Sequence, residues 1–118
     1  MRAPVLVIGI GNDYRGDDGV GLAVVRALRA RKIEQVRLME SDGNCTMLLD
    51  AWKGASKVIL VDAVSSGADI GTISRFNVHT QDIPATCAFS STHAFGIAET
   101  LALARVLDEL PPCFILYG

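Results

Sequence analysis

The apolar stretch Pro4-Val-Leu-Val-Ile8 runs directly into Gly9-Ile-Gly11-Asn12-Asp-Tyr-Arg-Gly-Asp17-Asp18-Gly-Val-Gly21, and this junction constrains the fold more than any other part of the chain. An uninterrupted apolar run reads as a strand covered on both faces, the kind found in parallel sheets. Beyond it, Val20, Val24, Ala27 and Leu28 recur at helical spacing and predict an amphipathic helix over residues 18–31. Asp17 and Asp18 therefore fall where a strand hands over to a helix. Open parallel sheets bind ligands at that edge, and a helix N-terminus tolerates anions through its partial positive charge.

The same alternation continues down the chain. Val36 and Leu38 predict a second strand, and Asn44 is placed to cap a short helix presenting Met47, Leu48, Ala51 and Trp52, with Gly54 ending it. Val58-Ile-Leu-Val61 predicts a further buried strand, whose carboxyl end is Asp62. Residues 65–71 read as a loop, 72–78 as an edge strand and 79–91 as a polar segment broken by Pro84. Ser91 or Thr92 can cap a last helix with Ile97, Ala98, Leu101 and Ala104 on one face, which puts His93 in its first turn. Phe114 to Tyr117 follow Pro111-Pro112 as a final strand. The fold expected is α/β, a three-layer αβα sandwich around a mostly parallel sheet of about five strands with one antiparallel edge. No closing helix follows that last strand before Gly118, so its face is expected to lie bare unless a missing C-terminal portion or another surface covers it.

Composition narrows the function classes. The 118 residues suit one domain, and a formal charge of -2 with no basic patch along the chain argues against a nucleic-acid partner. The apolar runs are strand-length, well short of the roughly 20 residues that span a bilayer, so no membrane role is expected. The N-terminal residues lack the pattern of a signal peptide. Three widely separated cysteines, Cys45, Cys87 and Cys113, suit packed thiols in a reducing cytoplasm better than a disulfide framework or a zinc cluster.

The predicted topology brings Asp18, Asp62 and His93 toward one edge of the sheet. Two carboxylates and an imidazole are ligands suited to nickel, zinc, manganese or iron, and a cation would relieve the repulsion between the two acids. Read singly, each has a plainer role: Asp17 or Asp18 as a helix cap, Asp62 as the close of a strand, His93 as a helix-start histidine. Their joint placement favours a shared site. His79 falls in the polar edge region and reads as a loop histidine. Gly9-x-Gly11 half-matches a dinucleotide fingerprint, with Glu40 as the ribose-binding acid, but Tyr14 occupies the third glycine position and Asp17 and Asp18 would repel a pyrophosphate. An H-E-x-x-H helix, a G-x-S-x-G elbow and a lysine-bearing P-loop are all absent from the sequence.

Taken in order, Gly-x-Gly-Asn12, Asp17-Asp18-Gly-Val-Gly21, Val-Asp62-Ala and Ser-x-His93-x-x-Gly96 resemble the hydrogenase maturation proteases, from residue 5 to about residue 117. These endopeptidases trim the C-terminus of the large subunit of nickel-iron hydrogenases. The resemblance implies that Asp18, Asp62 and His93 form the trio that recognises nickel and carries catalysis. The ion is supplied by the substrate, and other divalent cations can substitute for it. It further implies substrate contacts at Gly11, Asn12, Asp42 and Gly43, a hydrogenase large-subunit precursor as partner, and a closing helix in relatives beyond the equivalent of Gly118. Ser41-Asp42-Gly43-Asn44-Cys45 departs from the family's Asp-Gly-Gly-Thr type loop. The alternatives from other classes are a non-catalytic nickel-binding or sensing module and a Rossmann-like nucleotide-binding protein.

Overall fold

The computed structural model describes residues 5–11, 20–62, 64–65, 75–80, 88–89 and 96–118. In chain order the elements are β1 (Val5–Ile10), α1 (Val20–Ala30), β2 (Val36–Ser41), α2 (Cys45–Ala51), β3 (Lys57–Val61), β4 (Val64–Ser65), β5 (Arg75–Asn77), β6 (Ala88–Phe89), α3 (Ile97–Val106) and β7 (Cys113–Tyr117). Five strands form one sheet in the order β2-β1-β3-β7-β5. The first four are parallel, and β5 is an antiparallel edge. A separate antiparallel pair, β4 with β6, was not anticipated from the sequence.

Strand order and crossover handedness together place the helices. The chain steps one way from β1 to β2 and the opposite way from β2 to β3 and from β3 to β7. Right-handed crossovers therefore put α1 on one face and α2 and α3 on the other. The packing agrees, since α1 lies against β1, β2 and β3 while α2 packs on α3.

Strand side chains alternate between the two faces. On the α2/α3 face, Leu6, Ile8, Ile10, Val58, Leu60, Phe114 and Leu116 form the main core with Leu48, Trp52, Ile97, Leu101 and Ala104. Trp52 sits edge-on to Phe114, ring centroids 4.9 Å apart at 87°, a geometry that suits the charge distribution of two aromatic rings.

The opposite face is covered differently. Leu22 and Val25 dock α1 on the sheet, whereas Val24 and Leu28 join Val7, Ile59, Val61 and Tyr117 around an apolar trough of about 310 Å³. Of the stripe expected to bury α1, Val20, Val24 and Leu28 thus line the trough, with Val20 exposed, and Ala27 is exposed outside it. The docking face lies one residue round the helix because it is built on Gly21, which apolar periodicity does not register. For the same reason β3 is covered on one face only: Val58 and Leu60 are buried, while Ile59 and Val61 are half-buried.

Local signals performed unevenly. Asn44 caps α2 as expected, its side chain accepting from the Met47 N–H at 3.1 Å, and Gly54 takes a left-handed φ of 75° just past the helix end. Met47, expected on the buried face, is 56% exposed. In α3 the buried residues are Ile97, Thr100, Leu101 and Ala104, while Ala98 is exposed. The N-cap of α3 is Gly96, not Ser91 or Thr92, because the described helix begins at Ile97. Ser91, Thr92 and His93 lie outside the described residues.

Two glycines set the distance between α1 and the sheet. A Cβ on Gly9 would overlap the Gly21 carbonyl oxygen and lie 2.6 Å from Val25 Cγ2. A Cβ on Gly21 would lie 2.5 Å from the Val61 carbonyl oxygen and 2.6 Å from the Ile10 nitrogen. At each glycine the tightest overlap is with backbone, which cannot rotate away. Gly9→Ala is therefore expected to destabilise the chain by about 3 kcal/mol, at the upper end for an overpacked core, read as a lower urea midpoint with an unchanged slope.

Candidate functional site

In an open α/β sheet, ligands bind outside the carboxyl ends of the strands where the direction of winding reverses. Here that point lies between β1 and β3, whose following helices leave to opposite faces. Asp62 stands at it: the residue directly after β3 is fully buried, and its N–H donates to the Tyr117 carbonyl at 3.0 Å, extending the β3–β7 ladder by one rung. Val61 pairs with Gly9, so the Asp62 backbone is level with the end of β1, on a strand about 5 Å away. The first turn of α1 rests on the same spot, since Gly21 packs on the backbone of Ile10 and Val61. Gly11 and Val20, the described residues on either side of positions 12–19, thus stand at the crevice. Asn12, Tyr14, Asp17 and Asp18 themselves lie outside the described residues.

The other described candidates meet through Ser41. The Gly11 N–H donates to the Ser41 carbonyl at 3.0 Å, and the Ser41 hydroxyl accepts from the Gly43 N–H at 3.1 Å. Asp42 accepts from the Asn44 N–H at 3.1 Å through Oδ1. Gly43 is buried with φ 94°, a left-handed conformation that favours glycine. Gly11, Asp42 and Gly43 are in this way joined along the carboxyl edge. Ser41 is the member of this group that sequence reasoning missed. Its signal was a serine two residues before a glycine at a strand end, where a hydroxyl commonly organises the turn.

Other candidates are accounted for by structural roles. Glu40 is clamped by Arg26 and Arg29, each at 2.9 Å and each on a different carboxylate oxygen. Hydrogen bonds from Arg29 and then Arg26 hold its carboxyl below the usual carboxylate range. With both oxygens engaged and Gly9 spent on helix packing, the nucleotide-binding reading lacks its ribose acid and its phosphate-loop glycine. His79, expected in a loop, occupies the turn after β5, where Nε2 donates to the Pro111 carbonyl at 2.6 Å. Cys45, the first residue of α2, and Cys113, the first of β7, are free and half-buried, while Cys87 lies outside the described residues. Among the described residues no helix is long and apolar enough to cross a membrane.

The fold and its crevice define a doubly wound α/β protein with a buried acid at the switch point. Comparison with known proteins specifies it further: a family model described as hydrogenase maturation protease matches residues 22–118, and the chain belongs to that family. It is 32% identical to the hydrogenase expression/formation protein HupD of Thiocapsa roseopersicina, over 97% of the chain and 52% of that protein. Against the hydrogenase 2 maturation protease of Escherichia coli it is 28% identical, over 97% of the chain and 71% of that protein. The structure of the hydrogenase maturating endopeptidase HybD from E. coli superimposes with a TM-score of 0.73 at 26% identity, covering all of this chain and 73% of that one. The expected sandwich, with its parallel sheet and antiparallel edge, is thus the fold of this family. The chain spans little more than half the length of the first of these relatives.

The Glu40 clamp makes a pH-dependent contribution to stability. A carboxyl held low in the folded state stabilises fully above its unfolded pKa, and that contribution is lost as pH falls through the lowered folded value. Wild type is expected to lose more urea resistance than Glu40→Gln between about pH 5 and pH 3. The difference should be small and diminish with salt, because both arginines are half-exposed.

Proposed function

We propose that this chain carries the catalytic domain of an endopeptidase that removes the C-terminal extension of a nickel-iron hydrogenase large-subunit precursor after nickel insertion. The observation that carries the reading is the buried carboxylate of Asp62 at the switch point of a chain of this family. Asp18 and His93 complete the trio that grips nickel. In sequence, Asp18 precedes Gly21 by three positions, and Gly21 packs beside Asp62 on Val61. His93 stands three positions before Gly96, the N-cap of α3. Helix α3 begins at the carboxyl edge, because it must return the chain to the opposite edge for β7.

The nickel belongs to the precursor and is therefore part of the substrate. Two carboxylates and a neutral imidazole suit such an ion, and held there it fixes the scissile bond beside the acids. Asp18 or Asp62 then serves as base for the attacking water, with the carbonyl polarised by the ion. Gly11, Asn12, Asp42 and Gly43 line the peptide, and the reaction takes place in the cytoplasm.

The test is a processing assay with nickel-loaded and nickel-free precursor, following loss of the extension by mass. Cleavage of the loaded form alone is expected. Asp62→Asn, Asp18→Asn and His93→Ala should each slow it by about a hundredfold or more, as befits loss of a ligand. Equal cleavage of both precursor forms, or full activity in Asp18→Asn/Asp62→Asn, overturns the reading. Tight nickel binding by the isolated chain with no cleavage of any precursor favours the sensing module instead.

A further inference from the structure

Buried polar side chains are informative because burial is costly unless it organises something. Among the described residues three are buried: Ser41, Asp62 and Thr100. Asp62 belongs to the proposed trio. The Thr100 hydroxyl donates to the Gly96 carbonyl at 2.8 Å, four residues back along its own helix, a common local arrangement. Ser41 stands at the end of β2 beside the proposed cleft: its hydroxyl accepts from the Gly43 N–H two residues on, while its main-chain carbonyl accepts the Gly11 N–H at the end of β1.

We infer that Ser41 is a positioning residue whose hydroxyl holds the Asp42–Gly43 turn against the end of β2, so that this flank of the peptide-binding cleft is preformed. This role rests on the protease reading above. Its main chain ties Gly11 at 3.0 Å, the last described residue before the segment that carries Asp18. Its hydroxyl accepts from Gly43, whose φ of 94° has glycine's many alternatives available once that bond is gone. The next links run outward, Asp42 to the Asn44 N–H and Asn44 to the Met47 N–H, so the turn is anchored to α2 at its far end and to Ser41 at its near end. Removing the hydroxyl frees the near end alone. The strand, its ladder bond to Gly11 and the α2 cap all persist. Such a loss affects binding of the peptide in ground state and transition state alike, which raises KM and leaves kcat in place.

The experiment is steady-state processing of the nickel-loaded precursor by wild type, Ser41→Ala and Ser41→Thr, with thermal melts of each. Ser41→Ala is expected to melt cooperatively and to raise KM about tenfold, the order of one lost hydrogen bond, with kcat within about twofold. Ser41→Thr, which retains the hydroxyl, should restore most of the KM. Should Ser41→Ala fail to melt cooperatively, Ser41→Cys, similar in size but a poor acceptor, replaces it in the same comparison. Cleavage by wild type with unchanged KM in the hydroxyl-free variant overturns the positioning role and leaves the protease reading standing. A fall in kcat at constant KM overturns it too. Failure of wild type to cleave removes the reading on which the role rests.

Discussion

The backbone-to-backbone approach of α1 to the sheet at Gly9 and Gly21 is the constraint on which the rest of the structure depends. A helix normally packs against a sheet through side chains. Here two missing Cβ atoms let the first turn of α1 settle onto the main chain of β1 and β3. That seat fixes where the chain must leave β1 and where it must return. It also leaves Val24 and Leu28 turned toward the trough above β3 and β7.

From that seat the site follows by topology. The crevice exists because α1, after β1, and α3, after β3, lie on opposite faces of the sheet, and it holds a buried carboxylate at its floor. Asp62 is level with the end of β1, while Ser41 links the neighbouring loop through Gly11. Gly11, Asp62 and the Asp42–Gly43 turn each follow directly on the end of a strand, so the sheet sets where the described candidates lie. The glycine motif, which on its own suggests phosphate binding, is explained here by packing. Arg26 and Arg29 occupy the acid that a nucleotide would need.

Much of the fold was readable along the chain. The apolar runs of β1 and β3, the cap at Asn44 and the placement of Asp62 at a strand end all rest on interactions between residues close in sequence, and the structure reproduces them. Failures cluster where the deciding contact is remote. Met47 and Ala98 fit a helical apolar stripe, yet the helices turn them outward because Leu48 and Trp52, and Thr100 and Ala104, are better placed against the sheet. Of the candidate site, Gly11, Asp42, Gly43 and Asp62 are described. Asn12, Asp18 and His93 lie outside the described residues.

By itself the sequence determined the class of fold, the order of the three helices and of the strands of the main sheet, and the motifs by which the chain belongs to its family, because periodicity, capping and glycine spacing are short-range properties. Tertiary structure alone decided which face of α1 docks, that Glu40 is spent on ion pairs with Arg26 and Arg29, and that the end of β2 at Ser41 meets Gly11. Those outcomes depend on distances between segments far apart in the chain, and such distances are set by packing and crossover handedness, not by local preference.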